Sequence, residues 1–294
     1  MNKLVAKISL IIVAIIWGSG FVAAQLALDS GITPFYMMTF RFSIAAILLF
    51  IIFYRTLKNE VKSHLKPGVI LGMFMFLAFA FQTVGLQYTT PAKNAFLTST
   101  NVIIAPFLFW IIIRKKPDIY TFIGSVFVLV GIGFISIDPV NLSISIGDFY
   151  TLICAVLFAC HIVYIGYYSQ ERNLNPITLV FLQMSTSSIL SIICAISFES
   201  FVFDITIISV GSVFYLGLFS TLIAFLLQNT AQKYVVSTTA AIILSTEAVF
   251  GAFFSVLLLG EMLTASIIIG GTLVFIAIII TETKLSFLKR IGGN

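Results

Sequence analysis

Charge is what this sequence has least of. Only 9% of its 294 residues are Asp, Glu, Lys or Arg, against 60% that are apolar. A soluble domain carries roughly a quarter of its residues charged to keep its surface wet. No polar tract interrupts the chain for long enough to hide a separate soluble domain. Cysteine is scarce too. Cys154, Cys160 and Cys194 all fall inside apolar runs without CxxC or metal-type spacing, and read as lipid-buried thiols, not disulfides or metal ligands. The phosphate-binding GxxxxGK(S/T), the zinc motif HExxH and the nucleophile motif GxSxG are all missing. Direct drive by ATP and hydrolytic chemistry are therefore not expected, and neither is a cofactor. The net charge of +5 does not mark a nucleic-acid binder, because the basic residues sit in short loops between apolar runs.

What the chain has instead is apolar runs of membrane length. A helix needs about 20 apolar residues to cross a hydrocarbon core of about 30 Å. Ten runs qualify: 8–28, 35–54, 68–88, 94–113, 119–137, 148–168, 176–198, 210–232, 237–259 and 264–282. The first resembles a signal peptide in its Lys3 and Lys7, but it runs on through Trp17-Gly18-Ser19-Gly20-Phe21 without a clean small-residue stop and is read as a span. Gly31 to Pro34, Lys66-Pro67-Gly68, Thr90-Pro91, Pro117, Asp138-Pro139 and Asn175-Pro176 predict breaks between runs.

The basic residues orient these spans. With the N-terminus inside, one set of loops holds Lys3, Lys7, Arg55, Lys58, Lys62, Lys66, Arg114, Lys115, Lys116, Arg172, Lys233, Lys284, Lys289 and Arg290. The other set holds only Lys93, while Arg41 lies within a span. Fourteen against one puts both termini in the cytoplasm of a multi-pass cell-membrane protein, its partners the lipid bilayer and a small-molecule substrate.

The chain also repeats itself. Moved back by 146 positions, the second half lays Gln228 on Gln82, Tyr234 on Tyr88, Ser245-Thr246 on Ser99-Thr100, Phe253 on Phe107 and Ile269-Gly270 on Ile123-Gly124. A match shifted by a few residues pairs Ala14 with Ala155, Trp17 with Phe158, Pro34 with Pro176 and Arg41 with Gln183. The expected units are 1–137 and 138–294, five spans each. Five is odd, so the second unit enters the membrane inverted, an arrangement that gives transporters two near-equivalent packings around a midplane site.

The opening Trp17-Gly18-x-x-Phe21, Arg41-Phe42 in the second run, and Glu247 with Leu259-Gly260-Glu261-x-Leu263 resemble the EamA family of the drug/metabolite transporter superfamily, over nearly the whole chain. The resemblance implies an all-α membrane protein of ten helices in two inverted repeats, exporting amino acids, related metabolites or drugs. One departure is visible: the family often has Glu-Pro in the ninth span, and Glu247 is followed by Ala248, so a kink there is not expected. The proline lies in the fourth run, as Pro106.

Ionisable groups within a bilayer are costly unless they face a cavity or a partner. Three lie well inside runs: Arg41, His161 and Glu247. Glu247, poorly solvated at mid-depth beside Ser245 and Thr246, is either a proton carrier or a structural carboxyl bonded between helices; its repeat image is Asn101. Arg41 either snorkels outward or binds a substrate carboxylate with its guanidinium fork. His161, with Tyr164 on its face, is a packing residue or a cavity residue, and Gln183 lies at the depth matching Arg41. Trp17 stands mid-span, away from the interface where Trp gathers, and walls a cavity or packs between helices. Gln82 and Gln228 suit interhelical hydrogen bonds or substrate recognition. Glycines 124, 131, 133, 270 and 271 give the fifth and tenth runs small faces for packing.

The expected activity is a secondary carrier exporting amino acids or related metabolites by alternating access. An importer or exchanger of nucleotide-like or sugar-like solutes, or a drug efflux carrier, fits the same fold. An intramembrane enzyme is not expected, since one intramembrane His makes no metal site without help. A channel fits an inverted repeat less well than a rocking carrier.

Overall fold

The computed structural model describes residues 1–114, 116, 118–136, 145–201 and 205–283. Among them all regular structure is helical. Lys115, Pro117, the break at Asp138-Pro139, the 137/138 unit boundary, Lys284, Lys289 and Arg290 lie outside the described residues.

The chain runs α1 (Lys3–Asp29), α2 (Pro34–Leu86), α3 (Pro91–Thr98), α4 (Asn101–Ile113), α5 (Ile119–Ser136) and α6 (Ile146–Gly166), the last continued by a π-helical turn, Tyr167–Glu171. Then come α7 (Pro176–Phe198), α8 (Ile207–Tyr215), a π-helical stretch Leu216–Ile223, α9 (Ala224–Gln232), α10 (Ser237–Ser245), α11 (Glu247–Leu259) and α12 (Ala265–Thr283). Pro34, Pro91 and Pro176 each open a helix, where a missing N–H costs nothing. Among the described residues seven helical segments are long and apolar enough to cross a membrane, and two shorter apolar stretches lie within α5 and α12. Large apolar side chains such as Ile51, Leu129, Ile196 and Leu257 face outward, while Arg41, Asn101, Asp148, His161, Gln183, Gln228 and Glu247 are buried. Polar inside and apolar outside is the distribution that a lipid solvent favours.

Two expectations from the sequence are corrected. Pro67 does not separate the second and third runs; helix continues through it to Leu86, and the two helical arms of α2 meet earlier, at a kink on Phe53 (φ −112°, ψ 20°). The element nevertheless doubles back. Ser43 Oγ meets Ser188 Oγ at 2.7 Å, and the carbonyl of Gly72 accepts from Ser187 Oγ at 3.0 Å. Both arms thus reach one level of α7, although a straight helix would hold residues 43 and 72 roughly 43 Å apart. The stretch between them stays helical because α7 holds it: His64 Nε2 accepts the N–H of Asn175 at 2.9 Å and Glu60 accepts from Thr178 Oγ1 at 2.7 Å.

The second correction concerns the ninth run, which breaks without a proline. It divides into α10 and α11 at Thr246 (φ −64°, ψ −10°), and the fourth run divides into α3 and α4 at Ser99-Thr100, with Thr100 at φ −64°, ψ −12°. Local hydroxyl bonds account for both breaks. Thr100 Oγ1 donates to the carbonyl of Leu97 at 2.7 Å, and Thr246 Oγ1 donates to that of Ile243 at 2.6 Å. Such side-chain bonds compete with the helical ladder. Pro106 lies inside α4, past the break.

The breaks sit where the two halves touch. Ser99 Oγ donates to the carbonyl of Ser245, its own image 146 residues on, at 3.0 Å. The rings of Phe79 and Phe225, also images of each other, lie 6.0 Å apart. Away from this centre α5 and α12 pack on each other, so closely that a Cβ on Gly131 would lie 2.8 Å from the carbonyl oxygen of Gly270.

Candidate functional site

A cavity holds about 640 Å³ of atom-free space, open solvent at its mouth included. Trp17, Arg41, Gln82, Asn101, Gln228 and Glu247 line it, with Phe21, Phe79 and Phe158 among the apolar walls. The helix breaks deliver two of these groups. Asn101 is the first residue of α4 and Glu247 the first of α11, so each stands at a helix N-terminus in mid-span, on the positive end of that helix's dipole.

Arg41 is 4% exposed and Glu247 5%. Arg41 Nε donates to Thr221 Oγ1 at 2.9 Å and its terminal nitrogen to Ser220 Oγ at 3.3 Å, while the guanidinium lies 4.2 Å from the centre of the Phe79 ring. It has no carboxylate partner, for Lys93 with Asp148 is the one ion pair among the described residues. The Glu247 carboxylate has neither a hydrogen-bond nor an ion-pair partner among them. Trp17 Nε1 donates to the carbonyl of Ser220 at 2.9 Å, and its ring lies 5.0 Å from Phe225. Phe158, its image, lies 5.2 Å from Phe79, the image of Phe225.

His161, Gln183 and Tyr164 do not line the cavity. Phe158 and Ile162 give α6 its lining face, and His161 sits about 100° round the helix from Ile162. Its Nε2 meets Gln183 Oε1 at 2.9 Å, and Gln183 Nε2 donates to Asn229 Oδ1 at 3.1 Å, which ties all three into a buried polar cluster. Tyr164 stacks on Phe74 at 5.5 Å. Ser220, Thr221 and Thr83 belong to the site without having been singled out from the sequence. Ser220 and Thr221 owe their role to the π-helical stretch Leu216–Ile223, a feature frequent at functional sites that no residue pattern announced. No group of His, Cys, Asp and Glu that could hold a metal ion occurs among the described residues.

The family model for the EamA-like transporter family matches residues 5–137 and again 145–283. The chain belongs to this family. An "uncharacterized transporter" of Archaeoglobus fulgidus is 38% identical over 97% of the chain and 88% of its own length. Uncharacterized transporters of Bacillus subtilis and of Buchnera aphidicola subsp. Schlechtendalia chinensis are 25% and 29% identical, covering 91% and 81% of the chain, and 93% and 81% of their own lengths. A solved crystal structure superposes over the whole of both chains with a TM-score of 0.74 at 15% identity, a likeness of fold. With its apolar helices, this EamA-like transporter is a multi-pass integral membrane protein. The two matches of the family model fall one on each half of the EamA-like chain, so the repeat extends over the described residues of both halves.

Proposed function

We propose that this protein is a secondary carrier of the cell membrane that exports amino acids or related zwitterionic metabolites by alternating access. The observation that carries the reading is a guanidinium and a carboxyl in one cavity that are not paired with each other. Buried charges in a membrane are retained where a partner or a ligand completes them. A zwitterion completes both: its carboxylate matches the fork of Arg41 and its ammonium matches Glu247. A phosphorylated solute calls for more cations than the single arginine on this wall.

The carrier has ten spans in this reading. They are the two arms of α2, the other long segments and the two shorter apolar helices, with the repeats divided at 137/138. Five per half inverts one half relative to the other, and the fourteen-to-one basic bias places both termini in the cytoplasm. Glu247 is the proton carrier, accepting a proton on the outside and releasing it within, so that inward proton flow drives export.

Counterflow tests the carrier. Proteoliposomes loaded with an unlabelled amino-acid mixture should transiently accumulate an external labelled amino acid. Simple equilibration without overshoot would assign a channel. No entry of any amino acid would end the zwitterion reading.

A further inference from the structure

A buried amide with both of its polar atoms unbonded is costly and calls for a physical reason. Gln228 is such a group. It is 0% exposed to solvent, it lines the cavity, and neither Nε2 nor Oε1 has a partner among the described residues. Its image, Gln82, lines the same cavity but is not left open: Gln82 Nε2 donates to Thr98 Oγ1 at 3.2 Å. One repeat on from Thr98 stands Leu244 (98 + 146 = 244), which also lines the cavity and has no hydroxyl to give. The donor end of this amide is thus bonded from within in one half, while in the other both ends are left open. Asn101 Oδ1 is likewise buried without a partner, and the Glu247 carboxylate is unpaired on the same cavity.

We infer that Gln228 is a substrate-recognition residue, and that its Oε1, Asn101 Oδ1 and the Glu247 carboxylate form an acceptor subsite for a primary ammonium group. A primary ammonium carries three N–H donors and no acceptor, and these three groups offer one acceptor site for each donor. The inference rests on the zwitterion reading above and deepens it by assigning the ends of the substrate to opposite walls. The substrate carboxylate turns to Arg41, which Ser220 and Thr221 hold in place. Trp17, Phe21, Phe79 and Phe158 leave an apolar surface for the rest of the molecule. The cluster of His161, Gln183 and Asn229 takes no part, because its amides are bonded to one another.

Two substitutions test this from opposite directions. Leu244→Thr supplies Gln228 with the hydroxyl that Gln82 already has, and Gln228→Leu removes the amide. Phenylalanine, phenethylamine (no carboxylate) and 3-phenylpropionate (no ammonium) serve as probes, with affinity read from ligand-dependent thermal stabilisation of the purified full-length protein. Gln228→Leu should bind phenylalanine and phenethylamine about tenfold more weakly than the wild type, the scale of a lost charge-assisted hydrogen bond. Leu244→Thr, whose hydroxyl accepts from Nε2 as Thr98 does from Gln82 and leaves Oε1 open, should bind both within about twofold. Binding of 3-phenylpropionate should stay within about twofold, since Arg41 is untouched. Gln228→Leu carries the comparison, because the three probes are compared on one protein, and Leu244→Thr separates the acceptor Oε1 from the donor Nε2. Equal weakening of all three probes, or of none, in Gln228→Leu, or weakening of the two ammonium probes in Leu244→Thr, overturns the ammonium subsite and leaves the zwitterion reading standing. Wild-type protein that binds none of the three overturns both.

Discussion

Thr98 bonds Gln82 in the first half of the cavity, whereas in the second Leu244 leaves Gln228 open. Asn101 stands where the other half has Glu247, and Arg41 where the other has Gln183, which is tied to His161 and Asn229. The helix breaks, the Thr hydroxyl bonds and the ring pairs are closely alike in the two halves. The duplication preserves backbone geometry and varies the groups placed on it. The cation comes from the first repeat and the carboxyl from the second, so neither repeat alone completes the site.

Substitutions that make one half copy the other break this asymmetry one group at a time. Glu247→Gln gives the second half an amide, as Asn101 gives the first, and removes the group proposed to carry the proton. Uptake driven by a pH gradient into inside-out vesicles should be abolished while solute-for-solute exchange persists; an unchanged pH dependence would assign the carboxyl to structure. Arg41→Gln copies Gln183. Binding of carboxylate-bearing solutes should weaken by about 30- to 100-fold, or ~2–3 kcal/mol, with phenethylamine little affected, as equilibrium binding to the purified variant will show. Trp17→Phe copies Phe158. It loses the bond to the Ser220 carbonyl and the part of the indole that a phenyl ring does not fill, so chemical unfolding should register a loss of about 1–3 kcal/mol.

The spacing of the repeat was legible because it lay in paired polar residues, and the same 146-residue interval reappears in the contact of Ser99 with Ser245. The break in the ninth run was not, because the sign looked for was a proline after Glu247 and the cause is a pair of hydroxyls bonding back three residues. The continuity of α2 was hidden for a related reason. Pro67 reads as a stop, yet the turn of the chain comes at Phe53, and contacts with α7 more than a hundred residues away keep the intervening stretch helical. Trp17, Arg41, Gln82, Asn101, Gln228 and Glu247 stood out as polar or misplaced groups in apolar runs, and one cavity gathers them. His161, Gln183 and Tyr164 had the same appearance, but their direction around α6 and α7 depends on packing that a single chain does not spell out.

The bond between Ser99 and Ser245 has a direction. Ser99 is now the donor to Ser245, whose own hydroxyl is turned back to the carbonyl of Ile242 at 2.7 Å. Ser99 Oγ also lies 2.9 Å from the carbonyl of Ala95, so its single proton is shared between its own helix and the other half. Losing the crossing bond leaves that hydroxyl a partner at home, and the two halves are joined here by a bond that can open without stranding its donor.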